Sequence, residues 1–167
     1  MMISKNMNAA INKQIGAEFG ASLQYVAMAS HFAEQSYPVL AAHFFKQAGE
    51  ERDHALRFLK YVLEAGGHIE IPQIPAPKHA FRSAEEAVAL ALEWEKNVTD
   101  MINNLMALAL KEEDYLTQNM LGWFIKEQLE EVSSMDNLLR IVQRTGEKNL
   151  FYVENYLASH KEADESD

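Results

Sequence analysis

Four long stretches of this chain repeat apolar residues at alternating steps of three and four positions, the spacing of an inner helix-bundle face. Each stripe carries one glutamate among its apolar positions, namely Glu18, Glu51, Glu95 or Glu131, and His54 lies one turn after Glu51. The helix breakers Gly and Pro are scarce, with 7 and 4 in 167 residues. The pattern therefore predicts a helical bundle whose interior must accommodate four acids.

Turn signals divide the pattern into helices. Pro38 interrupts it first, Gly66 and Gly67 form a helix-ending pair, and Ser83 is an N-cap residue followed by acidic positions. The predicted helices span about residues 4–35, 39–65, 84–111 and 115–145, with a short amphipathic segment at 147–159. A long proline-containing stretch connects the second helix to the third. We therefore predict an all-α four-helix bundle with a long crossover between helices 2 and 3 and a short C-terminal fifth helix.

The predicted domain covers residues 1–159, and the acidic segment 160–167 is predicted to be a disordered tail. The formal net charge of −10 argues against nucleic acid as the main partner and suits cations. The absence of Cys excludes disulfides, zinc fingers and thiol nucleophiles. The N-terminus has no apolar run typical of a signal peptide, and no stretch of 18 apolar residues exists. We therefore expect a cytoplasmic protein with no membrane partner.

The four glutamates can lie at one level of the bundle. Glu18 and Glu51 lie about 17 and 12 residues from the first predicted turn, and Glu95 and Glu131 each lie about 16 residues from the second. At a rise of about 1.5 Å per residue, each antiparallel pair agrees in height to about one turn or slightly more. A single glutamate in an apolar stripe is commonly a surface residue, but four at matching heights indicate a shared site.

A dry core cannot hold four unpaired carboxylates. Each would cost several kcal/mol, against a net domain stability of about 5–15 kcal/mol. Two divalent cations would balance the four negative charges. Oxygen ligands with one imidazole and no thiolate suit iron or manganese, and zinc could compete. The residues themselves thus predict a two-metal site, with open positions for redox chemistry.

The chain resembles the ferritin family, and specifically the haem-free bacterial ferritins, from its start to about Ser159. The resemblance rests on the segments "IGAEFGASLQYVAMASHF", "GEERDHALRF", "LEWEKNVT" and "WFIKEQLEEV". The fourth helix has no second Glu-x-x-His motif, which bacterioferritins and di-iron reductase subunits keep and ferritins lack. In bacterioferritins a methionine after the bridging glutamate binds haem; here that position is Arg52, so no haem is expected.

The resemblance implies two iron ions per subunit. Glu18, Glu51 and His54 would hold the first, Glu51 would bridge, and Glu95 and Glu131 would hold the second.

Further residues acquire roles from the same resemblance. Gln128 would lie near the irons and bond to bound water or oxygen. Tyr25 would hydrogen-bond near the site and could donate an electron, although a buried structural tyrosine is an equal alternative. Glu50, Glu127 and Glu130 would form a third iron site on the path to a cavity, and the alternative is a solvated acidic face.

The implied function is iron storage and detoxification by a ferroxidase. This enzyme would oxidise Fe(II) with dioxygen or hydrogen peroxide and deposit ferric mineral in a homo-oligomeric shell of twenty-four subunits. The segment 147–159 would line pores at fourfold axes; alternatively, it folds back on its own bundle.

Several other functions remain possible at this point. One is a di-iron oxygenase or peroxidase for an organic substrate, although the inner positions are filled by large apolar residues. Another is a DNA-protecting mini-ferritin, whose iron site lies between subunits. A rubrerythrin-like electron carrier would need Cys. A purely structural or cytokine-like bundle would leave the four acids unexplained.

Overall fold

The computed structural model describes the backbone of residues 1–164 and the side chains as far as residue 160. Its helices are α1 (Lys5–Glu34), α2 (Pro38–Glu64), α3 (Ala84–Lys111), α4 (Tyr115–Thr145) and α5 (Leu150–Asp164), with a 3₁₀ turn at Glu147–Asn149 before α5. Every predicted end of the first four helices lies within one residue of the observed end. The predicted all-α bundle with a long crossover and a fifth helix is confirmed.

Side-chain caps fix the starts of three helices. The hydroxyl of Ser4 accepts a hydrogen bond from the Met7 amide at 2.9 Å, and Asp114 caps α4 through the Thr117 amide at 3.0 Å. Ser83 accepts from the Glu86 amide at 3.0 Å, which confirms the predicted N-cap of α3. These bonds satisfy backbone donors that have no partner within their own helix.

The crossover, residues 65–83, runs along α1. The Asn12 side chain donates to the His68 carbonyl at 2.8 Å and accepts from the Glu70 amide at 2.9 Å. Gly16 leaves room for Pro72 of the crossover, because a Cβ at Gly16 would lie 2.3 Å from Pro72 Cγ. The crossover is therefore held to α1 by both hydrogen bonds and close packing.

The core consists of two apolar clusters, one toward each end of the bundle. One includes Phe32, Phe44 and Leu138, and the other includes Ile11 and Phe58. On each of the four long helices, the stripe glutamate lies between the part that joins the first cluster and the part that joins the second. The apolar packing thus sandwiches a polar layer in the middle of the bundle.

The fifth helix packs against the bundle through α2 and α4. Leu150 and Val153 are buried, and Glu154 accepts hydrogen bonds from the amides of Val39 and Leu40 at 2.7 and 3.0 Å. Glu154 thereby caps α2, whose preceding residue Tyr37 supplies no side-chain cap.

The helix α5 continues to Asp164, beyond the end predicted at Ser159. The predicted acidic tail, 160–167, therefore begins inside a helix, while residues 165–167 lie outside the described residues and their disorder stays a prediction. Across the described part of the chain, none of the helices combines the length and the apolar character that a membrane crossing requires.

Candidate metal centre

The polar layer brings together side chains from all four long helices. Glu18 of α1 and Glu95 of α3 have no exposed surface, while Glu51 of α2 and Glu131 of α4 are 1% and 7% exposed. His54 of α2 is also buried. Heptad-like spacing puts each of these residues on the inner face of its helix. Their similar heights along the bundle bring them to one level. The structure therefore places the predicted residues in one buried layer.

Glu18, Glu51 and His54 form an inner group. Each offers a ligand atom, and these atoms lie within 4.8 Å of one another. Glu18 Oε1 accepts from Gln14 Nε2 at 2.8 Å, and His54 Nδ1 lies 3.4 Å from Glu51 Oε2. The remaining oxygens, Glu18 Oε2 and Glu51 Oε1, are buried and have no hydrogen-bond partner among the described residues. Two such acceptors beside an imidazole suit a divalent cation.

The other two acids are partly held by neighbouring polar groups. The buried hydroxyl of Tyr25 donates a hydrogen bond to Glu95 Oε1. Gln128 Nε2 lies 3.3 Å from Glu95 Oε2 and 3.2 Å from the Glu95 carbonyl oxygen. Tyr25 and Gln128 are therefore both in contact with Glu95, as their predicted place near the site requires.

His54, Glu127 and Glu131 form an outer group, whose ligand atoms also lie within 4.8 Å of one another. Glu127 is half-buried, so this group reaches toward the surface. The two groups share the His54 imidazole.

The other two residues of the predicted third site lie apart from this outer group. Glu50 Oε2 accepts from Gln47 Nε2 at 2.6 Å, and Gln47 Nε2 also lies 3.4 Å from Glu131 Oε2. Glu50 further pairs with Lys46 at 3.4 Å. Glu130 is exposed and belongs to neither the inner nor the outer group. Of the three residues predicted for a third site, only Glu127 thus lies in a compact group of potential ligands.

Burial strongly disfavours the charged form of these acids. It raises the pKa of Glu18 and of Glu51 well above the ordinary value, and negative neighbours raise both further. Burial also raises the pKa of Glu95, and the pKa of Glu131 rises to about 8 through burial and the charges of Glu95 and Glu50. Without a cation, burial therefore favours the protonated form of these acids, and Glu131, with a pKa of about 8, keeps its proton at neutral pH. A bound metal would displace such protons.

Three contacts of the layer escaped the sequence analysis. Gln14 bonds to Glu18, Gln47 joins Glu50 to Glu131, and Arg57 stacks on the Trp123 ring beside His54. Each of the three residues lies on a helix that carries a predicted ligand. Gln14 precedes Glu18 by four positions, so its place one turn from a predicted ligand is the sequence signal for that contact. The contacts of Gln47 and Arg57 reach from α2 to α4, and spacing along α2 does not show them.

Comparison with known proteins decides the family. A sequence model for the ferritin-like domain of the family Ferritin matches residues 8–145, most of the chain. The chain belongs to the ferritin family. Among ferritin relatives, the chain is 41% identical to "Ferritin BfrB" of Mycolicibacterium smegmatis over 161 residues, covering 96% of this chain and 88% of the relative. It is 36% identical to a "Bacterial non-heme ferritin" of Staphylococcus haemolyticus, covering 95% and 96% of the two chains.

Solved ferritin structures share the whole fold. The open-pore ferritin of Archaeoglobus fulgidus superposes with a TM-score of 0.90 at 31% identity, covering 93% of this chain and 96% of that one. The bundle that contains the buried layer thus matches a solved ferritin over nearly its whole length. The resemblance inferred from the sequence motifs is confirmed.

Proposed function

We propose that this protein stores iron and oxidises Fe(II) at the buried acidic layer. The substrates are two Fe(II) ions per subunit and an oxidant, dioxygen or hydrogen peroxide. The ferric product leaves the layer and accumulates as mineral inside a hollow shell built from copies of this chain. Iron is both substrate and cargo, and haem takes no part.

The observation that carries the proposal is the state of the inner group. Glu18 Oε2 and Glu51 Oε1 are buried carboxylate oxygens without a partner among the described residues, and the His54 imidazole lies beside them. Evolution of a stable core would replace such groups by apolar ones unless they bound something. The donor set of carboxylates and one imidazole, without sulfur, suits Fe(II).

The residues divide the work by position. Glu18 and His54 hold the first iron, Glu51 lies between the two ions and bridges them, and Glu95 and Glu131 hold the second. Because burial raises the pKa of the four acids, iron binding is coupled to the release of whatever protons they carry. Each Fe(II) then gives up one electron, and the oxidant accepts the pair.

Two neutral residues support the second iron. The Gln128 amide lies 3.3 Å from Glu95 Oε2, and it would bond to water or oxygen bound at the metals. The Tyr25 hydroxyl bonds to the Glu95 oxygen, and this contact is the route by which Tyr25 could supply an electron. Burial and the Glu95 charge raise the pKa of Tyr25 well above its ordinary value, so the hydroxyl keeps its proton at neutral pH.

The path out of the layer passes through the outer group. Glu127 and Glu131 form the next set of ligands beyond His54, and Gln47 links Glu50 to Glu131. We assign Glu50, Glu127 and Glu130 to a third iron site in which iron is bound transiently, with the exposed Glu130 as its outermost member.

Storage needs an enclosed volume that one bundle lacks. Leu129, Phe151 and Tyr152 are 75%, 67% and 64% exposed in the single chain, which leaves large apolar surface for neighbouring copies. By analogy with its family, we propose a shell of twenty-four subunits in which α5 lines the fourfold axes.

Aerobic iron oxidation tests the proposal. Purified metal-free protein receives Fe(II) in air, and ferric absorbance and particle size are followed together. We expect fast, saturable oxidation of about two Fe(II) per subunit, followed by mineral growth inside a large particle. Glu51→Ala and His54→Ala should abolish the fast phase and leave the particle intact. Oxidation no faster than in buffer, or fast oxidation by both variants, would contradict the assignment.

A further inference from the structure

The His54 imidazole stands between two sets of carboxylates. It completes the inner group with Glu18 and Glu51, and it also completes the outer group with Glu127 and Glu131. A ring with two nitrogens can serve either set, and its rotation about the Cα–Cβ and Cβ–Cγ bonds decides which. Whatever fixes the ring plane therefore decides how iron is divided between the inner site and the outer path.

Hydrogen bonds do little to fix that ring. Within residues 1–160, its one polar contact is Nδ1 to Glu51 Oε2 at 3.4 Å. Metal-binding histidines ordinarily donate their second ring N–H to a carboxylate, a carbonyl or water, which sets the ring orientation. Here the ring orientation must come from packing.

Two aromatic rings of α4 supply the packing. The Trp123 ring lies 5.4 Å from the His54 ring at an interplanar angle of 76°, and the Phe124 ring lies 5.8 Å away at 79°. Phe124 is itself held by a stacked contact with Phe58, with centroids 3.9 Å apart. The imidazole is thus confined edge-to-face against two rings.

Trp123 is less enclosed than Phe124, and an arginine covers it. The Arg57 guanidinium lies 3.8 Å from the Trp123 ring centroid, at the distance of a cation–π stack. Arg57 follows His54 by one turn on α2. Two residues of α2 therefore contact the same Trp123 indole of α4. Arg57 and Trp123 line a surface groove that opens onto His54 and also contains Glu50, Asp53 and Glu127.

We propose that Arg57 and Trp123 are positioning residues for His54. The guanidinium holds the indole, and the indole holds the imidazole in the orientation that serves Glu18 and Glu51. Loss of either member frees the ring to turn toward Glu127 and Glu131, which weakens the inner site and redistributes metal to the outer path. The inference rests on the proposed function, because it concerns the first metal bound at the same layer.

A charge effect of Arg57 is the competing explanation. A cation at the mouth of an acidic groove would change metal entry without touching His54. Lys60 offers a matched control, because it lines the same groove, carries the same charge and pairs loosely with Glu64 at 3.8 Å instead of stacking on Trp123. Lys60→Gln removes the charge alone, whereas Arg57→Gln removes both charge and stack.

Co(II) binding to the metal-free protein separates these explanations. Co(II) resembles Fe(II) in ligand preference, resists oxidation in air and has visible absorption that reports its coordination. We would titrate the wild type, Arg57→Gln, Arg57→Lys, Trp123→Leu and Lys60→Gln, and confirm each particle by size and melting temperature. The same variants would be assayed for Fe(II) oxidation, with KM and kcat determined separately.

We expect Arg57→Gln and Trp123→Leu to weaken the first Co(II) by about tenfold and to change its visible spectrum. Arg57→Lys should recover part of the affinity, since an ammonium can make a cation–π contact with the indole but cannot stack on it, and Lys60→Gln should match the wild type. The Fe(II) KM should rise more than kcat falls.

Wild-type affinity and spectrum in Arg57→Gln would overturn the inference, even if Trp123→Leu does not fold. Equal losses in Arg57→Gln and Lys60→Gln would also overturn it in favour of a charge effect. Both results leave the proposed function standing, provided that the wild type binds Co(II) and Glu51→Ala does not. A wild type without tight Co(II) binding would overturn the proposed function, and this inference with it.

Discussion

Replacing Glu131 by Gln should stabilise the metal-free protein at neutral pH, although it removes a metal ligand. Glu131 is 7% exposed, and burial with the nearby charges of Glu95 and Glu50 raises its pKa from 4.5 to about 8. Between pH 4.5 and about 8, the folded state therefore keeps a proton that the unfolded state has released. The stability contributed by this group is full below pH 4.5 and is lost as the pH rises through 8.

The size of the effect follows from the two pKa values. A difference from 4.5 to about 8 lowers the free energy of unfolding by about 3 kcal/mol at pH 7 and by less than about 1 kcal/mol at pH 5. Glutamine has nearly the same shape and no charge, so Glu131→Gln escapes this loss. The variant should therefore melt close to the wild type at pH 5 and several degrees above it at pH 8.

Thermal melting of metal-free wild type and Glu131→Gln between pH 5 and 8.5 measures the difference. Glu86→Gln is a control of opposite sign, because hydrogen bonds from Lys78 and Arg82 lower the pKa of Glu86 to about 2. The stability from Glu86 is present above pH 4.5 and is lost only as the pH falls through 2. Glu86→Gln should therefore melt below the wild type throughout this range, by an amount that does not grow with pH.

Bound metal should reverse the order of the two melting temperatures. With Zn(II) bound, the charge of Glu131 is neutralised, so the wild type should lose its pH dependence and melt above Glu131→Gln at pH 8. Equal pH dependence of metal-free wild type and Glu131→Gln would contradict this prediction, because it would mean that the buried acid titrates as though exposed.

Three other variants test separate parts of the structure. Tyr25→Phe leaves a buried Glu95 oxygen without its donor, so we expect a loss of about 1–3 kcal/mol in thermal melts and slower Fe(II) oxidation by stopped flow; unchanged values in both would contradict the contact. Gly16→Ala places a methyl group 2.3 Å from Pro72 Cγ, so the crossover should become a protease-sensitive segment, and an undigested crossover would argue against this packing. Glu154→Ala removes the cap of α2 and should cost about 1 kcal/mol while exposing α5 to limited proteolysis; a wild-type digestion pattern would show that the cap does not hold α5.

The sequence was sufficient for those features that follow from local chemistry and periodicity. Ser83 has a side chain that caps helices, and α3 begins just after it, as predicted. The layer of Glu18, Glu51 and Glu95 followed from inner-face spacing together with equal height, which requires only the rise of a helix.

Contacts between helices depend on how the helices are rotated against one another, which the spacing within one helix does not show. Arg57 has the spacing of an exposed residue, and nothing in its sequence position shows that α4 places an indole beneath its guanidinium. The contact of Gln47 with Glu131 could not be predicted either, because it depends on the relative rotation of α2 and α4.

The length of α5 was underestimated for a different reason. The charged residues after Ser159 suggested solvated coil, whereas the helix continues to Asp164.

We propose that side chains from four helices of a single subunit hold two iron ions. Anomalous diffraction at the iron edge, from crystals soaked in Fe(II) without oxygen, tests it most directly. We expect two peaks inside each bundle, one among Glu18, Glu51 and His54 and the second between Glu51, Glu95 and Glu131. Iron found only at subunit contacts or on the outer surface, with no peak inside the bundle, would contradict it.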